Sequence, residues 1–274
     1  MSDVLLEKRP DGVALITLNR PDSLNAMGGR LVPMIGDYLA QCEEDREVRC
    51  IALTGAGRAF CAGGDVKDMG SRNTTTSGTA GDGNLVTTLD ARVRELRHSH
   101  NRTSFKLHTI GKPTVALVNG HAVGAGLSLA LACDIRIASD RAKFGTAFKN
   151  VGLSGDFGGT YFLQRLVGAG KARELYFTAE ILDAQRALEL GIANRVIPHD
   201  QFMEEGLAFC SMLAKGPTAS YARIKENLNA AETRSLQELL DLEALNMRIS
   251  GFSRDSREAV SAFIEKREPR FVGE

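Results

Sequence analysis

Short apolar runs alternate with amphipathic stretches along the first two thirds of the chain. Five such runs predict strands, at residues 13–19, 48–54, 115–119, 134–138 and 192–197. Residues 27–44 place Leu31, Met34, Ile35 and Leu39 on one helical face. Apolar strands that alternate with helices predict an α/β layer structure with buried strands.

The last quarter of the chain has a different pattern. Helical periodicity covers residues 200–215, 218–231, 235–250 and 254–267, with no strand signal among them. We therefore predict a core at residues 1–199 and a helical region at residues 200–274. Residues 70–83 are rich in Gly, Ser and Thr, which predicts a loop outside the core.

Composition narrows the function classes. Of the 274 residues, 43% are apolar, and 34 Lys and Arg balance 34 Asp and Glu, so neither nucleic acid nor an anionic membrane is the expected partner. Five cysteines without a close pair argue against a disulfide framework or zinc site and favour a reduced, cytoplasmic location. The start lacks a signal-peptide pattern. The longest apolar run, residues 122–133, is shorter than the roughly 20 residues of a membrane span.

Three glycine-rich segments carry the candidate chemistry, at residues 59–65, 119–126 and 152–160. Glycine lets a backbone approach a ligand closely and present its N–H groups. Any one such segment is more often a tight turn than a binding site. None fits the dinucleotide fingerprint or carries a Walker lysine, which argues against a nucleotide fold.

Taken together, the motifs identify a family. Phe60-Cys-Ala-Gly-Gly-Asp, Lys112-Pro-Thr-Val-Ala-Leu-Val-Asn-Gly and the segment 153–160 follow one another in an order and spacing that resemble the crotonase (enoyl-CoA hydratase/isomerase) superfamily. The resemblance covers nearly the whole chain. It implies a spiral of repeated ββα units with a C-terminal helical trimerisation region. It also implies an acyl-CoA substrate, a homotrimer or dimer of trimers, and no metal or redox cofactor.

The same resemblance assigns residues. The two backbone N–H groups that polarise the thioester carbonyl fall on Gly64 and Ala125, and Ala stands where the family usually has Gly. Lys67 is expected to reach the CoA phosphates, and Phe263 and Lys266 to reach CoA across a subunit boundary. The remaining expected CoA contacts, around the adenine, are Leu24, Ala26, Ala62, Asp65 and Val66.

The catalytic acids depart from the hydratase pattern. Ser128 and Phe148 occupy the positions of the two hydratase glutamates, so both carboxylates are missing. Asp156 lies where dienoyl-CoA isomerases, ring-epoxide phenylacetyl-CoA isomerases and chlorobenzoyl-CoA dehalogenases carry a catalytic aspartate. A helix N-cap is the alternative role for Asp156, because aspartate is favoured there.

Four interpretations of the function remain open. The leading one is an isomerase that moves a double bond in an unsaturated acyl-CoA, with Asp156 as proton shuttle and Ser128 available to position water. The others are an enoyl-CoA hydratase with non-standard acids, an acyl-CoA hydrolase, and a non-catalytic acyl-CoA binding protein. His121 is expected to pack near the pocket. The basic stretch with His98, His100 and His108 is predicted to be a solvated helix face, together with Arg92, Arg94, Arg97 and Arg102.

Overall fold

The computed structural model describes residues 2–65 and 83–274, with residues 83–88 described by their backbone alone. Within these residues the chain forms two β-sheets. The larger sheet has the order β1-β2-β3-β5-β7-β10, in which only the β1–β2 pair is antiparallel. Its strands are β1 Val4–Lys8, β2 Val13–Leu18, β3 Cys50–Gly55, β5 Thr114–Val118, β7 Ile135–Ser139 and β10 Arg195–Ile197.

The smaller sheet has the order β4-β6-β8-β9. Its strands are β4 Ala59–Cys61, β6 His121–Val123, β8 Lys143–Gly145 and β9 Leu182–Asp183. The chain passes repeatedly between the two sheets. In each of the consecutive pairs β3–β4, β5–β6 and β7–β8, the first strand belongs to the larger sheet and the second to the smaller one. This arrangement agrees with the predicted α/β class and its repeated strand pairs.

Helices cover the sheets and form the end of the chain. They are α1 Leu31–Glu44, α2 Gly83–Arg102, α3 Ser104–Thr109, α4 Ala125–Leu131, α5 Gly159–Thr178, α6 Ala184–Glu189, α7 Phe202–Ala214, α8 Thr218–Ala231, α9 Leu236–Gly251 and α10 Arg254–Glu265. Among the described helices, none combines the length and apolar character that a membrane crossing requires.

The four central strands of the larger sheet, β2, β3, β5 and β7, are buried on both faces. Along β2, Val13 and Leu15 pack into one apolar cluster, while Ala14 and Ile16 pack into the other. Helix α7 covers the first face through Phe202, and α1 and α4 cover the second. Because side chains alternate across a strand, burial on two faces requires the nearly continuous apolar runs that the sequence shows.

The elements differ from the prediction in three respects, the first being that β10 covers only residues 195–197 of the predicted strand 192–197. The edge strand β1 was not predicted, because only Val4 of it is buried and its pattern is not that of a core strand. The three- and two-residue strands of the smaller sheet were not predicted, because such short segments carry little periodicity. Helix α1 begins at Leu31 instead of residue 27. Met27 is held outside it, since its N–H donates to the Gly63 carbonyl at 2.7 Å.

The helical region docks on the core through buried polar contacts. Lys225 of α8 is 9% exposed and donates to the Leu107 carbonyl and to Asp134, both at 2.9 Å. Asn246 of α9 is buried and donates to Asn227 of α8 at 2.7 Å. A buried charge is stable only when paired, so the Lys225 contacts fix α8 on the core, and the Asn246 contact fixes α9 to α8.

Large apolar side chains remain exposed on this region. The exposed residues are Leu228, Leu236, Leu240, Leu245, Met247, Phe252, Val260, Phe263 and Ile264. Apolar surface left in water costs roughly 25 cal/mol per Å², so we expect further copies of the chain to cover these side chains in a trimer or dimer of trimers.

We predict that Met247→Lys or Phe252→Lys shifts the protein toward smaller species, since the two side chains are 73% and 81% exposed and a lysine opposes their burial between copies. Light scattering at micromolar concentration measures the shift. Leu5→Lys, on the edge strand, is the control and should leave the oligomer unchanged. A wild-type monomer at that concentration would contradict the prediction.

Candidate functional site

The ends of β4 and β6 bring two glycine-rich segments into contact. These strands pair in parallel, so Gly63 and Gly124, which follow them, meet at one edge of the smaller sheet. Both have positive φ, at 94° and 56°. A Cβ built on Gly63 would lie 2.8 Å from the Val123 carbonyl and 3.5 Å from the Ala125 nitrogen, so the approach requires glycine.

This contact brings the nitrogen of Ala125, one of the two predicted N–H donors, near Gly63, the residue before the other. Gly64 lies beside Met27 in a parallel bridge, one residue after Gly63. Ala125 is the first residue of α4, and the first N–H groups of a helix have no acceptor within it. The extra methyl group of Ala125 joins a small apolar cluster with Phe148 and Phe157. The departure from glycine therefore adds to an apolar wall beside the two donors.

Ser128 and Phe148, the positions of the missing acids, are both buried. Ser128 donates its hydroxyl proton to the Gly124 carbonyl at 3.3 Å, one helical turn earlier. The Phe148 ring stacks on Tyr176, with centroids 6.1 Å apart and planes 7° from parallel. The Ser128 position thus carries a hydroxyl hydrogen-bonded to the backbone, and the Phe148 position carries an aromatic ring stacked on Tyr176.

Asp156 lies in the loop before α5, next to the apolar cluster of Ala125, Phe148 and Phe157. Its Oδ1 accepts the Phe157 N–H at 2.8 Å and lies 2.5 Å from Nε2 of His100. The alternative role as a helix N-cap is wrong: α5 begins at Gly159, its N-cap is Gly158, and no side chain caps it. The carboxylate instead faces His100 and is 27% exposed.

The prediction of a solvated helix face holds for part of the basic stretch only. Arg92, Arg94, Arg97 and His98 are exposed. His100 is 32% exposed, pairs with Asp156, and lays its ring edge-on to Phe157 at 4.8 Å. His108 packs against Phe162, and its burial lowers its pKa. The sequence placed these histidines on one stretch of the chain, but it did not predict which loop packs against them.

Tyr176 is a site residue that the sequence pattern did not predict. Helix α5 is broken at Gly168, whose φ of 77° and ψ of 158° are not helical. The second half carries Tyr176 back toward the start of the first, and a Cβ on Gly159 would lie 2.7 Å from the phenol oxygen and would overlap the Ser128 hydroxyl. Burial raises the pKa of Tyr176 to about 12. No local pattern distinguishes it from a core tyrosine.

Four of the expected CoA contacts come together around β4. The Ala62 N–H donates to the Leu24 carbonyl at 3.0 Å. Arg20, which the sequence pattern also did not predict, donates to the Ala26 carbonyl at 2.8 Å and pairs with Asp65 at 3.2 Å. The arginine therefore links the segment that carries Leu24 and Ala26 to the end of the 59–65 motif.

The remaining expected residues are elsewhere or not described. Val66, Lys67 and Asp68, with most of the 70–83 loop, lie outside the described residues. Phe263 is 85% exposed on α10, so within one chain it does not pack on the other expected CoA contacts, and Lys266 ends the same helix. His121 is exposed on β6 instead of packed. Among the described residues, no cluster of His, Cys, Asp or Glu is arranged to hold a metal ion.

Comparison with known proteins gives a consistent family. The family model described as enoyl-CoA hydratase/isomerase matches residues 8–274. The chain is 38% identical to the 1,2-epoxyphenylacetyl-CoA isomerase of Escherichia coli over 100% of both chains. It is 32% identical to the short-chain-enoyl-CoA hydratase of Clostridium acetobutylicum, over 97% of this chain and 96% of that protein.

The fold comparison agrees. A crystal structure of an enoyl-CoA hydratase from Polaromonas sp. JS666 superposes with a TM-score of 0.88 and 29% identity, covering 98% of this chain and 99% of that one. The predicted crotonase fold is therefore confirmed. The relatives carry the names of both isomerases and hydratases. The comparison therefore shows the family, but not which of these reactions the protein catalyses.

We predict that Tyr176→Phe reduces the loss of stability between about pH 10 and pH 12. In wild type the unfolded phenol ionises with its ordinary pKa of about 10 and the folded one with a pKa of about 12, so the unfolded state releases its proton first and the free energy of unfolding falls across this window. The variant should lose about 2 kcal/mol less, measured by urea unfolding at several pH values. Ser128→Ala, which alters the adjacent hydroxyl, should keep the wild-type slope, and an unchanged slope in Tyr176→Phe would contradict the prediction.

Proposed function

The chain belongs to the enoyl-CoA hydratase/isomerase family, and we propose that within it the protein is an isomerase that moves a double bond in an unsaturated acyl-CoA. One observation carries the proposal. Asp156 offers a carboxylate at the wall formed by Ala125, Phe148 and Phe157, while the two positions of the hydratase acids hold Ser128 and Phe148.

The reaction proceeds through a thioester enolate. The N–H groups of Gly64 and Ala125 donate to the thioester oxygen, and each such donor stabilises the developing charge by about 3–4 kcal/mol. Asp156 takes a proton from the carbon next to the thioester, and the electron pair moves toward the oxygen. The protonated Asp156 then returns its proton to the γ carbon. The C–H bond lost and the C–H bond gained balance, and no other reactant is consumed.

Hydration requires chemical groups that Ser128 and Phe148 do not supply. Adding water requires groups that hold and deprotonate it, and a serine hydroxyl is not basic near neutral pH. Ser128 also donates its proton to the Gly124 carbonyl. The hydratase names among the relatives keep this reaction as the second candidate, with Ser128 and Asp156 as the groups that would bind the water.

The acyl group is proposed to lie along the aromatic wall of Phe148, Phe157 and Tyr176. The neutral phenol of Tyr176 offers a hydrogen-bond donor there, since its pKa is raised to about 12. One relative is named for an isomerase of a ring epoxide, which supports a bulky or cyclic acyl group. The CoA portion is proposed to contact Leu24, Ala26, Ala62 and Asp65, with Val66, Lys67 and, from a neighbouring copy, Phe263 and Lys266.

Product mass distinguishes the candidate reactions. With a panel of unsaturated acyl-CoAs we expect turnover without a change in mass, because isomerisation adds and removes nothing. A gain of one water identifies a hydratase, release of free CoA identifies a hydrolase, and binding without turnover identifies an acyl-CoA binding protein. Any of these three results contradicts the proposal. Ser128→Ala further separates an isomerase from a hydratase, since the substitution should lower the rate of an isomerase little and that of a hydratase strongly.

We predict that Asp156→Asn lowers kcat by about 10³–10⁴-fold and leaves acyl-CoA affinity within about tenfold. Asparagine keeps the size of the side chain and its capacity to accept the Phe157 N–H, but it does not take up a proton. Asp183→Asn is the matched control, because Asp183 caps α6 on the surface and asparagine also caps well. If Asp156→Asn keeps more than about a tenth of the rate, the base lies elsewhere.

A further inference from the structure

The Asp156 carboxylate is held through one of its two oxygens. Oδ1 receives the Phe157 N–H at 2.8 Å and lies 2.5 Å from His100 Nε2. An ionised carboxylate only accepts hydrogen bonds, so Nε2 is the donor of this pair when Asp156 is ionised. Among the described residues, nothing bonds to Oδ2. The two oxygens are therefore distinct, and Oδ2 is the one left for substrate.

His100 is itself held on two sides. Its ring meets Phe157 edge-on at 4.8 Å, and Phe157 is packed with Ala125 and Phe148. One series of contacts therefore runs from Ala125, which carries a proposed thioester donor, through Phe157 and His100 to Asp156. Through these contacts, the imidazole links the position of Asp156, the proposed base, to that of Ala125, the proposed donor to the thioester oxygen.

The helix that carries His100 is anchored next to it. Arg102, in the same turn of α2, pairs with Asp37 of α1. A Cβ on Gly36 would lie 3.0 Å from the Arg102 Cβ, so the two helices approach closely there. Thr103 and Ser104, which follow, are buried. The last turn of α2 is thus fixed to the core, which gives His100 a rigid support.

We propose that His100 is the positioning residue that locks the Asp156 carboxylate with Oδ2 toward the acyl chain, so that one oxygen both takes and returns the same proton. The inference rests on the proposed isomerase function. A carboxylate held at Oδ1 by two donors does not rotate about its Cβ–Cγ bond during the life of the enolate. The proton on Oδ2 stays against the substrate and does not exchange with water.

The test follows an isotope. The substrate is a 3-enoyl-CoA with both hydrogens on the carbon next to the thioester replaced by deuterium, in ordinary water. Movement of the double bond takes one deuteron to Asp156. Its return to the γ carbon gives a product with two deuterons, whereas exchange with water gives a product with one, and mass spectrometry separates the two.

Wild type should give mainly the product with two deuterons. His100→Leu should shift it toward one deuteron and lower kcat by about 10–100-fold, as expected for a misplaced catalytic group, with KM little changed. His100→Gln, whose amide N–H replaces Nε2–H, should recover much of the retention. His98→Leu, an exposed histidine of the same helix, should match wild type in both measurements.

Two results overturn the inference while the proposed function stands. One is a wild-type product with a single deuteron. The other is a lower kcat in His100→Leu with unchanged deuterium retention, which a merely structural role would give. Thermal unfolding of each variant shows whether the fold is intact, and His100→Gln supplies the measurement if His100→Leu does not fold. Absence of isomerisation in wild type overturns the proposed function, and the inference with it.

Discussion

The close approach of two backbones at the edge of the smaller sheet is the constraint on which the site depends. A side chain at Gly126 would overlap the carbonyl oxygen of Cys61, and one at Gly63 would press on Val123. Glycine at both positions lets the first turn of α4 lie directly on the end of β4. A larger residue at either position would push apart the segments that carry Gly64 and Ala125, the two predicted N–H donors.

Beside this contact, the half-buried carboxylate of Asp156 lies next to an apolar cluster. Ala125, Phe148 and Phe157 are all buried, and the phenol of Tyr176 stacks on Phe148 beside them. Within the described part of the chain, the polar contacts of the Asp156 side chain are the His100 ring nitrogen and the Phe157 N–H, both at Oδ1. The proposed isomerisation uses this one carboxylate to take up and return a proton, and the proposed role of His100 is to fix how the carboxylate is presented.

The helical region combines buried polar anchors with an exposed apolar surface. Lys225 and Asn246 form hydrogen bonds that specify how α8 and α9 sit, since an unpaired buried amine or amide is costly. The large side chains that remain exposed, such as Phe252 and Phe263, do not contribute to the core of their own chain. This division gives the end of the chain a rigid base and an outer face suited to contacts between copies.

The sequence by itself determined the family, the α/β class, most helices and the longer strands, because apolar periodicity and glycine motifs act over short distances. It also predicted Asp156 as the candidate base and the loss of the two hydratase acids, since those predictions depend on residue type at motif positions. The tertiary structure alone decided that His100 faces Asp156, 56 residues away, and that the break at Gly168 returns Tyr176 to Ser128. Neither partner shows in local spacing, because each contact depends on where a separate helix packs, and packing is a property of the whole fold.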